Sequence, residues 1–116
     1  MRLIIAGGRD FTDLPLMTEK LDALIKVTME RIVVISGTAR GADQTGEAYA
    51  KSKGFHVERY PAQWDKYGKS AGYKRNEQMA DQATHCVVFW DGKSRGSKHM
   101  IDIAKREGLE LRVIHY

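Results

Sequence analysis

Five short runs of apolar and β-branched residues constrain what this chain can become. They are Leu3-Ile4-Ile5-Ala6, Ile32-Val33-Val34-Ile35, His56-Val57-Glu58-Arg59-Tyr60, His85-Cys86-Val87-Val88-Phe89-Trp90 and Leu111-Arg112-Val113-Ile114. The first, second and fourth carry apolar residues at successive positions instead of alternating ones. A strand of that kind is buried on both faces, as in a parallel sheet covered by helices. The third run is more polar, as an edge strand is.

The segments between these runs have helical spacing. Leu14, Met17, Leu21, Leu24, Ile25 and Thr28 recur at three-to-four residue intervals behind Pro15, which predicts a helix over 14–29. Further helices are predicted over 42–53, ending at Gly54, over 71–82, and over 97–107, ending at Gly108. The alternation reads βαβαβαβαβ. Right-handed crossovers turn that order into an α/β, Rossmann-like three-layer domain: a five-stranded parallel sheet, order 3-2-1-4-5, with helices on both faces. A chain of 116 residues has room for one such domain, spanning 1–116. Residues 61–70, which carry Trp64, Lys66, Tyr67 and Lys69, are predicted as a long functional loop.

Composition narrows the setting. The single cysteine, Cys86, excludes an intrachain disulfide and points to a reducing cytoplasm. Within its apolar run it reads as a buried thiol and not a nucleophile. No apolar run approaches the roughly 18 residues of a membrane span, so no membrane partner is expected. The net charge of +4 suits a phosphate-bearing ligand or nucleic acid without choosing between them.

Glycines and polar residues gather where strands give way to helices. Gly7-Gly8-Arg9-Asp10 follows the first strand, and Ser36-Gly37-Thr38-Ala39-Arg40-Gly41-Ala42-Asp43 the second. The aromatic and basic loop leads to Gly72-Tyr73-Lys74-Arg75-Asn76, and Asp91-Gly92-Lys93-Ser94-Arg95-Gly96-Ser97 follows the fourth strand. In a parallel sheet these segments share one edge, where ligands bind. Helix N-termini there offer free N–H groups to a phosphate. The candidate ligand-binding set is therefore Gly7, Gly8, Arg9, Ser36, Gly37, Thr38, Arg40, Gly41, Asp43, Trp64, Arg75, Asn76, Gly96 and Ser97. Gly96 and Ser97 are assigned to a phosphate, Arg75 to charge neutralisation, and Trp64 or Tyr67 to stacking on a base. Trp64 reads equally well as a loop anchor, and Arg75 as the partner of Glu77 or Asp81. Among carboxylates at this edge (Asp10, Asp43, Asp65, Asp91), Asp10 and Asp43 are the candidates for catalysis with Arg75, or simply helix caps.

Sharper motifs are missing. Gly-Lys-Ser occurs at 68–70 and 92–94, but the glycine a P-loop needs five residues earlier is Gln63 or Val87. His56, His85, His99 and His115 have no metal-ligand spacing, so no metal and no cofactor are expected.

Taken together, Gly7-Gly8-Arg9-Asp10-Phe11, the Ser36–Asp43 segment, Ala71-Gly72-Tyr73-Lys74-Arg75-Asn76-Glu77-Gln78-Met79 and Gly96-Ser97-Lys98-His99-Met100 resemble the YspA-like branch of the SLOG superfamily. That superfamily also contains the Lonely Guy phosphoribohydrolases and the DNA-processing protein DprA. The resemblance runs from residue 1 to about residue 114. It implies a nucleotide-derived ligand and a homodimer; DprA-like binding of nucleic acid is the less favoured implication. Arg75 and Met79 match the Arg-x-x-x-Met of Lonely Guy enzymes, and Gly96-Ser97 their Gly-Thr pair. The position of their glutamate is Met100, which puts hydrolysis of an N-glycosidic bond behind simple binding.

Overall fold

The computed structural model describes residues 1–26 and 28–116. Strand β1 (Arg2–Gly7) lies at the centre of the sheet. It is flanked by β2 (Val33–Ser36) and β4 (His85–Trp90), with β3 (His56–Arg59) and β5 (Glu110–His115) at the edges. Every neighbouring pair is parallel, in the order β3-β2-β1-β4-β5. The expected Rossmann-like α/β architecture is the observed one.

The two faces of β1 account for its unbroken apolar run. Leu3 and Ile5 pack with Val34, Val87 and Phe89 beneath α1 (Leu14–Ile25) and α2 (Ala42–Lys53). Ile4 and Ala6 pack with Ile35, Cys86 and Val88 beneath α4 (Ala71–Asp81) and α5 (Arg95–Arg106). Cys86 is enclosed in this second layer, and burial pushes its thiol up to about 12, far from a reactive thiolate.

Three boundaries differ from the sequence expectation. Helix α1 stops at Ile25 instead of 29. Met29 is fully exposed and Thr28 donates its N–H back to Ile25, so the apolar stripe has already run out; Val27 lies outside the described residues. Residues 61–70 are not all loop: Trp64–Tyr67 forms a short helix, α3, and Gly68–Ser70 a 3-10 turn that runs into α4. Helix α5 begins at Arg95, two residues early, because the Ser94 hydroxyl accepts the Ser97 N–H and caps it.

Gly46 sets the distance between α2 and the sheet. A methyl group there would stand 2.8 Å from Ile5 Cγ2, on a fully packed central strand. Gly46→Ala therefore pushes α2 off β1. It is expected to lower unfolding stability by about 1–3 kcal/mol, the usual range for overpacking, read from the urea midpoint at unchanged slope.

Candidate functional site

The four strand-to-helix segments meet at the carboxyl edge of the sheet, at the point between β1 and β4 where the direction of chain winding reverses. They enclose two adjoining chambers of about 440 and 430 Å³. Each is within the range of small-ligand sites. The first is bounded by Gly37, Thr38, Pro61, Ala62 and Trp64. The second is bounded by Gly7, Gly8, Asp10, Asp43, Asn76, Gly96 and Ser97. Arg9, Ala39, Arg40 and Arg75 border both.

Arg75 stands at the junction. Its Nη1 donates to the Gly37 carbonyl, and its Nε donates to Asn76 Oδ1 at 3.0 Å. Nη2 has no partner among the described residues. No carboxylate lies within 4.0 Å of the guanidinium either; Glu77 pairs with Arg106 instead, so the anticipated surface ion pair is not formed. Burial holds the group below its ordinary value; Asp43 opposes that shift and Arg9 adds to it. A half-buried cation is thus fixed in direction by neutral acceptors, with no carboxylate in contact among the described residues and only the nearby Asp43 charge to offset it.

Its placement requires glycine at 37. A Cβ there would stand 2.7 Å from Asp43 Oδ2 and 2.8 Å from Arg75 Nη1. The next residue, Thr38, has φ +67, a strained conformation for a β-branched side chain. Its N–H donates to Ser36 Oγ at 3.1 Å, and the Ser36 hydroxyl donates to Glu47 at 2.6 Å. Ser36 is spent inside the fold in this way and borders neither chamber. Gly41 does not border them either; it caps α2, packed against the backbone of Gly8 and Arg9.

Across the second chamber stands the start of α5. Asp91 Oδ1 accepts the N–H groups of Lys93 and Ser94, at 2.8 and 2.9 Å, which fixes the turn and holds Asp91 below the usual carboxylate range. The N–H groups of Arg95 and Gly96 have no acceptor within the helix. The position a Cβ would take on Gly96 faces open space. Ser97 is only 3% exposed, yet its Oγ has no hydrogen-bond partner among the described residues. Asn76, also buried, donates to the Gly96 carbonyl at 3.4 Å and approaches His99 Nδ1 at 3.2 Å, tying α4 to α5.

Trp64 is 50% exposed at the rim of the first chamber, and its ring end packs over Gly72. That edge is held against α4 while about half of the residue is open to solvent. The four carboxylates differ sharply. Asp10 has a 93% exposed side chain that reaches only Arg40, at 3.6 Å. Asp65 lies in α3, outside both chambers. Asp91 is committed to its turn. Asp43 alone is buried, at 7% exposure, with Oδ2 accepting the Ala39 N–H at 3.1 Å. Met100, 1% exposed, is packed in the α4–α5 core and presents nothing to the cleft.

Tyr116 also borders the second chamber, outside the candidate set. Strand β5 continues to His115, one residue beyond the apolar run, and so delivers Tyr116 to the same edge. There its ring packs on Phe11, with centroids 4.8 Å apart, and its hydroxyl lies over Gly8. Among the described residues no three His, Cys, Asp or Glu side chains converge on a point that could hold a metal. No helix among them is long and apolar enough to cross a membrane.

Fold and site define a Rossmann-like parallel α/β protein with an arginine-lined cleft at the switch point of its sheet. A model of the YspA, cpYpsA-related SLOG family matches residues 1–67, from β1 through α3. The Gene 61 protein of Mycobacterium phage D29 is 32% identical over 116 residues, covering 95% of this chain and 93% of that protein. The chain belongs to this SLOG family. Among solved structures, a predicted subunit of tRNA methyltransferase from Methanocaldococcus jannaschii superposes with a TM-score of 0.47 at 15% identity, over 97% of this chain and 67% of that one.

The electrostatics of Asp43 have a measurable consequence. Burial, the largest influence, pushes its carboxyl up to about 6, against the pull of Arg75 and the Ala39 N–H. Between about pH 4 and pH 6 the folded protein therefore holds a proton that the unfolded chain has released. Raising the pH through that window weakens folding, by an amount on the order of 3 kcal/mol once both forms are ionised. Asp43→Asn keeps an acceptor for Ala39 and removes the charge. Its stability relative to the parent protein is expected to rise steadily from pH 4 to pH 7 in chemical denaturation; a pH-independent difference would refute this.

Proposed function

We propose that the cleft binds a nucleotide-derived small molecule. Its phosphate would sit in the second chamber, at the start of α5, and its base in the first, against the half-exposed Trp64. The observation that carries this reading is the Arg75 guanidinium at the junction of the chambers, half-buried and without a carboxylate in contact. A cation that is partly withdrawn from water and lacks a carboxylate partner is destabilising unless an anion completes it. The N–H groups of Arg95 and Gly96 and the unpartnered Ser97 hydroxyl supply donors for the same anion. Arg9 and Arg40 add positive charge at both openings.

Binding is favoured over hydrolysis by the location of Met100. Cleavage of an N-glycosidic bond needs a group that stabilises developing positive charge, and a proton donor or water-activating base. A thioether enclosed in the core is neither. Binding would draw instead on backbone N–H groups and Arg75, and needs no such group.

Titration calorimetry of the purified chain with AMP tests the reading. Arg75→Ala is expected to weaken AMP binding by about 1.5–3 kcal/mol, the range of a charge-assisted contact, while leaving the thermal midpoint close to that of the parent. AMP should be recovered intact after incubation. Arg75-dependent release of free adenine would replace the binding reading with an enzymatic one. Unchanged affinity in Arg75→Ala would remove Arg75 from the site.

A further inference from the structure

A buried carboxylate is out of place in a cleft built for an anion. Asp43 borders the second chamber beneath an edge carrying Arg9, Arg40 and Arg75, and its charge partly cancels theirs. It forms no ion pair within 4.0 Å with any of these arginines; Arg75 is held by Gly37 and Asn76 instead. Only Oδ2 is used within the fold, by the Ala39 N–H. Oδ1 has no hydrogen-bond partner among the described residues. On a residue that borders the chamber, this acceptor is open to water in the empty cleft and to a donor on a bound ligand. Phosphate oxygens are acceptors and are repelled there. Hydroxyl groups are the donors a phosphorylated sugar carries. Asp43 also packs under Gly37, which faces the first chamber, so the carboxylate lies between the Trp64 end of the cleft and the Ser97 end. In a nucleotide the group between base and phosphate is the sugar.

We propose that Asp43 is a specificity-determining residue that accepts hydrogen bonds from the ribose hydroxyls of the ligand, so that the cleft selects ribonucleotides over other phosphorylated anions. The proposal rests on reading the cleft as a nucleotide site. It accounts for the retention of a charge that works against both folding and anion binding: the same carboxylate is satisfied when a diol reaches it. A role confined to holding the 37–43 loop would need only the acceptor for Ala39, which asparagine supplies.

The test is calorimetric titration of the full chain with AMP, 2′,3′-dideoxyadenosine monophosphate and inorganic pyrophosphate, repeated on Asp43→Asn. The parent protein is expected to favour AMP over its dideoxy analogue by about 10-fold or more, as loss of a hydrogen bond to a charged group dictates. In Asp43→Asn that preference should collapse, while pyrophosphate binds as tightly as before or more tightly. Equal affinity of the parent for AMP and the dideoxy analogue overturns the assignment while leaving the nucleotide reading intact. So does a variant that keeps the preference, or one that loses pyrophosphate and AMP together. Pyrophosphate binding without AMP binding overturns the nucleotide reading and this assignment with it. The comparison of the two nucleotides on the parent protein alone is decisive if the variant does not fold.

Discussion

The parallel pairing of β1 with β2 on one side and β4 on the other is the constraint on which everything else hangs. A parallel neighbour can be reached only by a crossover long enough to hold a helix, and that crossover is right-handed. Winding outward from β1 through β2 and β3 puts α1 and α2 on one face. Reversing to β4 and β5 puts α4 and α5 on the other. Four strand-to-helix turns then emerge on one edge, and two of them, after β1 and β4, are parted because their helices leave in opposite directions. The cleft is the consequence of that parting. Its floor is backbone, Gly7 and Gly8, and its walls are the starts of helices.

Much of this was written in the residue pattern. Strands buried on both faces carry unbroken apolar runs, which is why β1 and β4 were legible, and glycine-rich turns marked the edge. What escaped depended on contacts across the chain. The helix at Trp64–Tyr67 is too short to show a period, and its end is set by Gly68 at φ +56. Tyr116 follows the last apolar residue by two positions and is brought to the cleft by one more ladder pair, between Trp90 and His115. Ser36 and Gly37 are adjacent in sequence, but strand alternation and the Glu47 contact turn the serine inward and leave the glycine facing Arg75. The difference between Asp43 and Asp10, one enclosed and one in water, has no signature in the sequence at all.

The site runs against the stability of the domain in two places. Thr38 holds a left-handed backbone that a β-branched residue resists, secured through Ser36 and reached by Gln44 at 3.4 Å. Asp43 keeps a carboxyl group where burial disfavours its charge. They stand five positions apart on the same segment. Elsewhere the fold satisfies its groups: Tyr49 is fully buried with its hydroxyl donating to Asp22 at 2.7 Å, and Arg2 closes a two-pronged pair with Glu58 at 2.9 and 2.6 Å.

That contrast bears on how the three features of the cleft fit together. Arg75 has no carboxylate in contact, Asp43 Oδ1 has no protein donor, and Ser97 Oγ is buried without any partner, so the described residues leave three groups of different kinds without a protein partner in one pair of chambers. Asp43 and Arg75 are not in contact: Arg75 Nη1 is taken by the Gly37 carbonyl and Asp43 Oδ2 by the Ala39 N–H. A molecule carrying both an anionic group and hydroxyl donors is the kind of partner that meets all three demands together.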